Sequence, residues 1–117
     1  MKLIHKLEPL WWILFGAGGF TAVFFLPALV AGILILGPLG AFGHGFAWER
    51  VHGLAANPVG RVFLAAVISL VIWHCAHHLR HLILDLGGHA LAPVAAYLSY
   101  ALALAGTIAT IAIVAGL

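Results

Sequence analysis

Three long apolar stretches dominate the pattern of hydrophobic and polar positions along the chain. They cover about residues 10–36, 59–86 and 91–117. Each is longer than the roughly 20 apolar residues that a helix needs to cross a hydrocarbon core about 30 Å thick. The pattern therefore predicts an all-α integral membrane fold of three transmembrane helices, in which residues 1–117 form a single membrane domain.

The segment between the first two spans has a different pattern. Apolar residues recur at helical spacing with polar residues between them; the apolar set is Trp48, Val51, Leu54 and Ala55, and the polar set is Glu49, Arg50 and His52. Residues 47–55 therefore predict a short helix that lies in the membrane interface. Asn57-Pro58 marks the break before the second span, and Gly87-Gly88 marks the break before the third.

Glycines and a proline mark the first span, whereas the third is rich in Ala, Leu and Ile. Gly16, Gly18 and Gly19 favour close approach of a neighbouring helix, although membrane helices use glycine freely in any case. Pro27 is tolerated where neighbours satisfy the freed carbonyl. The third span has few polar residues, mainly Ser99, Thr107 and Thr110, and is interpreted as a packing helix and no more.

Composition supports lipid as the solvent. Of the 117 residues, 65% are hydrophobic and 7% are charged, against about 45–50% and about 25% in a soluble domain. Such a short membrane chain cannot house a soluble active site, so partner subunits must supply any catalytic chemistry. The net charge of +2 is small and scattered, which does not indicate a nucleic-acid partner. Cys75, the single cysteine, is interpreted as a small buried apolar residue.

The charged residues near the span ends predict the orientation. The apolar stretch that follows Lys2 and Lys6 is longer than the roughly 7–15 residues of a signal-peptide core, so it is interpreted as a retained span. Lys2, Lys6 and Arg80 lie on one side of the membrane, and Arg50 and Arg61 lie on the other. This excess favours a cytoplasmic N-terminus.

The second span carries a stripe of ionisable residues. At about 100° per residue, one helix face holds His74, His77, His78, His81 and Asp85, whereas Arg80 points away from it. Ionisable groups inside a membrane are costly and normally face a protein interior or a water-filled cavity. The stripe is therefore a candidate functional site.

Several chemistries suit this stripe. Imidazoles ligate haem iron or a divalent metal, donate hydrogen bonds to a quinone carbonyl, or pass protons. Asp85 could fix the tautomer of His81 or accept a proton, and Arg80 could reach lipid phosphate. The structural alternative for each histidine is a hydrogen bond to a neighbouring helix.

A set of short motifs runs through about the first three quarters of the chain at fixed spacing. The motifs are Glu8-Pro9, Trp11-Trp12, Leu14-Phe15-Gly16-Ala17-Gly18-Gly19, Gly37-Pro38-Leu39-Gly40, Glu49-Arg50-Val51, Gly60-Arg61-Val62-Phe63-Leu64, Trp73, His77, His81 and Asp85-Leu86. In these motifs the chain resembles the fumarate reductase D subunit, whereas the third span adds only hydrophobicity.

The resemblance implies a heterotetramer in the inner (plasma) membrane. A flavoprotein subunit and an iron–sulfur subunit would sit on the cytoplasmic side of two small membrane subunits, this chain and a sister. The chain would be a non-catalytic anchor that helps to form a menaquinol site, from which electrons pass to fumarate in anaerobic respiration. Whether the complex reduces fumarate or oxidises succinate in the cell stays open.

The resemblance also implies site residues. The family's quinol pocket uses a tryptophan at the cytoplasmic entrance of the first helix, which falls on Trp12, and polar residues of the second helix, which fall on His77, Arg80 and His81. His78 stands where the family has an arginine. His78 and Arg80 are therefore alternative candidates for the cation that faces the quinone.

A second resemblance leaves an alternative open. His74, Arg80-His81-Leu82, Asp85 and Gly87 also resemble the second helix of the succinate dehydrogenase cytochrome b subunit. The position of His74 there holds a haem b ligand, so a haem b-bearing anchor of a succinate:quinone oxidoreductase is the first alternative. A small histidine-lined carrier of metal ions or protons is a more remote alternative, and a purely structural role is the last.

Overall fold

The first apolar stretch forms one continuous helix. A computed structural model describes residues 2–117, with the side chain of Ile4 excepted. A short helix α1 spans Lys2–Lys6, and α2 spans Glu8–Leu29. Pro9 stands in the first turn of α2, where its missing N–H removes no helical hydrogen bond. A π-helix, Val30–Leu36, extends α2 without a break.

The interfacial helix follows the first span as predicted. A 3-10 turn, Gly43–Phe46, leads into α3, Trp48–Ala56, and α4 spans Pro58–Gly87. The Asn57 side chain caps α4, because its oxygen accepts a hydrogen bond from the N–H of Gly60 at 2.9 Å. This cap and Pro58 in the first turn explain why one helix ends and the next begins here.

The third span begins after a glycine turn. Gly88, which follows α4, has a φ of 74°, in the left-handed region that favours glycine. A 3-10 turn, His89–Leu91, then leads into α5, Ala92–Ala115. Among residues 2–117, three helices can cross a membrane by length and composition, namely Glu8–Leu36, Pro58–Gly87 and His89–Ala115. The predicted fold of three transmembrane helices is confirmed.

Helix α4 lies between α2 and α5 and packs against both. The backbones of α2 and α4 come close at Gly18, where an added Cβ would strike the carbonyl oxygen of Leu70 and would lie 2.7 Å from the Cβ of His74. At Gly16 an added Cβ would meet open space. Close helix approach, which small residues permit in membranes, therefore explains Gly18 but not Gly16.

Small residues pack α5 against α4, and several hydrogen bonds cross the interface. The buried residues of α5 are Ala95, Ala96, Ser99, Tyr100, Ala103, Thr110 and Val114. The indole N–H of Trp73 donates to the hydroxyl of Thr107 at 3.1 Å. Such contacts matter in lipid, because burying apolar surface between helices gains little where the solvent is itself apolar.

Arg61 links two segments by hydrogen bonds at the end of the bundle opposite to the N-terminus. Its Nε donates to the carbonyl of Ala56 at 2.7 Å, and its Nη1 donates to the carbonyl of Ala115 at 2.9 Å. The last carbonyls of a helix have no partner within the helix. Arg61 therefore joins the corner between α3 and α4 to the end of α5.

Candidate functional site

The predicted histidine face lies at the end of the bundle where α2 begins, α4 ends and α5 begins. Helices α2 and α4 are antiparallel, since Phe15 contacts His74 and Phe25 contacts Phe63. Tyr100, in the first half of α5, contacts the same end of α4 through His77. Side chains that are distant in sequence therefore form one cluster.

Aromatic rings from all three spans stack at the centre of this cluster. The ring of Trp11 lies 5.3 Å from that of Trp73 at an interplanar angle of 10°, and 4.7 Å from that of Tyr100 at 19°. Tyr100 is 9% exposed. Stacked aromatic pairs at such distances stabilise packing beyond the area they bury. The stack brings α2 to α5 and holds the Tyr100 ring in place.

Trp12, the next residue along α2, faces outward. Trp12 is 56% exposed, and its ring lies 5.5 Å from that of His77 and 5.9 Å from that of Phe15. His77 is only 5% exposed and also contacts Phe15, with ring centroids 4.5 Å apart. Two predicted site residues are thus neighbours, with Trp12 at the surface of the cluster and His77 buried beneath it.

His77 and His81 form a hydrogen-bonded pair, and Tyr100 links this pair to Arg80. Nε2 of His77 lies 3.1 Å from Nε2 of His81, and Nδ1 of His77 lies 3.5 Å from the hydroxyl of Tyr100. Nη1 of Arg80 donates to the same hydroxyl at 3.1 Å. Arg80 leaves the histidine face toward α5, yet Tyr100 connects it back to His77. The Nε of Arg80 is buried and makes no hydrogen bond with any described residue.

His74 and His78 form the other half of the stripe. Nδ1 of His74 lies 2.9 Å from the carbonyl oxygen of Phe15, and the two rings stack with centroids 4.6 Å apart. Gly19 makes room for this ring, because an added Cβ would lie 2.8 Å from Cε1 of His74. The exposed His78 ring meets that of His74 edge-on at 4.7 Å. His74 therefore makes the interhelical hydrogen bond that was the structural alternative.

Asp85 lies beyond the cluster. Its side chain is exposed and makes no hydrogen bond or ion pair with residues 2–117. The partner that constrains His81 is His77 rather than Asp85. Within the same described residues, no group of three or more His, Cys, Asp or Glu side chains is placed to hold one metal ion.

The interpretation of the third span as a packing helix was incomplete. It supplies Tyr100, which contacts Trp11, His77 and Arg80. The available signal was a tyrosine in a span rich in alanine and leucine, where its hydroxyl needs a partner. The contact of Trp11 was not predicted either, because the resemblance assigns the quinol pocket to Trp12. The interpretation of Cys75 as buried was wrong, since its side chain is exposed. The sequence of one helix does not show which of its faces another helix covers.

Fold and cluster together define a class of protein. The part of the chain that the structure describes has three helices that can cross a membrane, and an ionisable and aromatic cluster lies at one end of the bundle. It is a multi-pass membrane protein in which histidines, an arginine and aromatic rings come together where three spans meet.

Comparison with known proteins identifies the family. Residues 3–115 match the family model of the fumarate reductase D subunit. The chain is 38% identical over 106 residues to the fumarate reductase D subunit of Shewanella sp. (strain W3-18-1), covering 89% of this chain and 87% of the relative. It is 34% identical over 110 residues to that of Vibrio vulnificus (strain YJ016), covering 92% and 84%.

A third relative is covered less completely. The chain is 37% identical over 83 residues to the fumarate reductase D subunit of Vibrio cholerae serotype O1 (strain M66-2), and the match covers 70% of this chain and 64% of the relative, less than two thirds of its length. The chain belongs to the fumarate reductase D subunit family, a family of membrane-anchor subunits. The predicted resemblance is confirmed.

Proposed function

We propose that this chain anchors the flavoprotein and iron–sulfur subunits of a fumarate reductase to the membrane and forms one wall of its menaquinol site. The supporting observation is the position of Trp12 beside His77, with His81 hydrogen-bonded to His77. These side chains combine an exposed aromatic surface with imidazole nitrogens. A quinone ring offers an aromatic face and carbonyl oxygens, so the side chains fit it.

The wall is assigned to Trp12, His77, Arg80 and His81. Trp12 offers ring surface to the bound ring, and His81 offers a nitrogen to one of its oxygens. His77 and Arg80 stand behind His81, because His77 is buried and Nη1 of Arg80 donates to the hydroxyl of Tyr100 within this chain. Menaquinol, when bound, supplies the two electrons that reduce fumarate at the flavin of the partner subunit.

Exposed polar side chains on α4 support a partner at this surface. His78, His81 and Asp85 are exposed on a helix that spans the membrane, and direct contact with lipid would be costly for such groups. A sister membrane subunit and the iron–sulfur subunit would cover them. The exposed large apolar side chains elsewhere on the bundle suit contact with lipid.

The cluster would then lie on the cytoplasmic side of the inner membrane. Lys2 and Lys6 stand at the same end of the bundle as the cluster, and Arg80 lies within it. Positive residues favour the cytoplasmic side of short membrane proteins. This orientation faces the quinol site toward the two catalytic subunits.

Co-purification tests the proposal. The full chain is tagged, extracted in mild detergent from its native membrane, and its companions are identified. We expect a flavoprotein, an iron–sulfur protein and a second small membrane protein in equal amounts, with menaquinol-dependent fumarate reduction. Recovery of the chain alone, pure and stable, would contradict the anchor function and favour the histidine-lined carrier.

A haem b-bearing anchor is the second candidate, and the hydrogen bond of His74 favours it. Since the carbonyl of Phe15 can only accept, Nδ1 of His74 carries the proton and Nε2 keeps its lone pair. Histidines that ligate metals commonly donate their other ring N–H to a carbonyl in this way. A Soret band in the purified complex that disappears in a His74→Ala variant would establish this candidate, and a spectrum without the band would exclude it.

A further inference from the structure

We infer that Tyr100 is a positioning residue that sets the direction of a hydrogen-bond chain ending at His81, so that His81 presents its Nδ1–H at the outer surface of the cluster. The inference deepens the proposed quinol site and rests on it for the identity of the ligand. The members of the hydrogen-bond chain all lie on α4 and α5, so their arrangement can be described without any ligand. Its members, in order, are Arg80, Tyr100, His77 and His81.

The direction begins at Arg80, because a guanidinium only donates hydrogen bonds. The hydroxyl oxygen of Tyr100 therefore accepts from Nη1 of Arg80 at 3.1 Å. Its own proton is then directed to the other neighbour, Nδ1 of His77, 3.5 Å away. This is the longest link, and with it the buried hydroxyl both accepts and donates a hydrogen bond.

The imidazoles of His77 and His81 continue the chain of hydrogen bonds from Tyr100 to the surface of the cluster. A neutral imidazole has one N–H and one lone-pair nitrogen. Since Nδ1 of His77 accepts, Nε2 of His77 holds the proton and donates to Nε2 of His81, 3.1 Å away. His81 then accepts at Nε2 and must carry its proton at Nδ1.

The position of Tyr100 is fixed independently of the hydrogen bonds. Its ring stacks on Trp11 at 4.7 Å, and the guanidinium carbon of Arg80 lies 5.9 Å from its centroid. Because the ring is buried and in contact with Trp11 and Arg80, its hydroxyl is presented to His77 without further ordering. This preorganisation is what a positioning residue supplies.

The ligand that suits this arrangement is an oxygen acceptor. Both nitrogens of the buried His77 have partners within the chain, whereas His81 is exposed. An outward N–H on a neutral imidazole binds a carbonyl or hydroxyl oxygen, which both the oxidised and the reduced quinone possess. His81 is thus the residue that touches the ligand, and His77 and Tyr100 act through it.

A Tyr100→Phe variant in the full complex tests the inference, with Tyr97→Phe as the matched control. Tyr97 is 57% exposed on the same helix. In wild type, nitrogen NMR of labelled imidazoles should show His81 protonated at Nδ1. In Tyr100→Phe the two tautomers should mix, and the KM for menaquinol should rise about threefold to tenfold with little change in kcat, as expected for one hydrogen bond of roughly 0.5–1.5 kcal/mol. Tyr97→Phe should match wild type in both readouts.

Two results would overturn the inference. One is a wild-type complex in which His81 is protonated at Nε2, a measurement that needs no variant to fold. The other is a Tyr100→Phe complex whose tautomers and KM equal those of Tyr97→Phe. Failure of the proposed quinol site would give a different result from failure of this inference. In that case the wild-type tautomers would be as inferred, but a His81→Ala complex would oxidise menaquinol like wild type.

Discussion

Helix α4 carries an arginine toward each end, and both arginines donate a hydrogen bond to α5. Arg61 binds the backbone carbonyls of Ala56 and Ala115, whereas Arg80 binds the hydroxyl of Tyr100. A carbonyl only accepts, so the hydrogen bonds of Arg61 stop there. A hydroxyl accepts and also donates, so the interaction of Arg80 continues to the histidines. The same residue type therefore closes one end of the bundle and orders a candidate site at the other.

The largest expected effect comes from separating α2 from the site end of α4. A Gly18→Ala variant places a Cβ against the carbonyl of Leu70, and such overpacking destabilises a fold by about 3 kcal/mol where backbone must move. Because Trp12 and Phe15 move with α2, quinol oxidation should fall as well. The loss of stability is measured as the free energy of unfolding of the purified complex in detergent, and the loss of activity by quinol oxidation assays. Gly16→Ala, in open space, should equal wild type, and equal losses in both variants would contradict the packing explanation.

The second largest effect is expected from the exposed tryptophan at the site end of the bundle, compared with the exposed tryptophan at the opposite end. Replacing Trp12 by Ala removes the aromatic surface beside His77, which should lower kcat/KM for menaquinol on the order of 30-fold, equivalent to about 2 kcal/mol. Trp48→Ala, on the interfacial helix at the far end, should leave kcat/KM unchanged. Steady-state kinetics of the two variant complexes measure kcat/KM for menaquinol. Similar kinetics in both would remove Trp12 from the site.

The comparison of the arginines is tested directly by replacing each with glutamine. Arg61→Gln should lower the free energy of unfolding by about 1–2 kcal/mol, because carbonyls of two helix ends lose a charged donor, with quinol kinetics unchanged. Arg80→Gln should instead raise the KM for menaquinol about threefold to tenfold. The free energy of unfolding and the KM for menaquinol are measured in both variants. An Arg61→Gln complex that is stable but kinetically impaired would reverse the comparison.

The smallest effect concerns the hydrogen bond between Trp73 and Thr107. Thr107→Val should destabilise the bundle by about 0.6 kcal/mol, the average for an interhelical hydrogen bond in a membrane. Thr110→Val is the matched control, since the Thr110 hydroxyl bonds only to the carbonyl of Gly106 in its own helix. A difference between the two unfolding free energies supports the interhelical role. No difference would mean that the indole finds another partner.

Much of the site could be predicted from the second span alone. The spacing of His77 and His81 places them one turn apart, and they do form a hydrogen bond. The separation of Arg80 from the histidine face also follows from helical periodicity. The link through Tyr100 could not be predicted, because periodicity identifies the faces of one helix but not which residue of another helix lies opposite.

By itself the sequence determined the three spans, the interfacial helix and the histidine stripe, because these depend on local composition and on the period of a single helix. Tertiary structure alone decided that Trp11 is stacked inside while Trp12 faces outward, and that His74 binds the backbone of α2 while His81 is exposed. The physical reason is that these differences depend on how antiparallel helices are rotated about their axes. Close contacts such as that of Gly18 with Leu70 set that rotation.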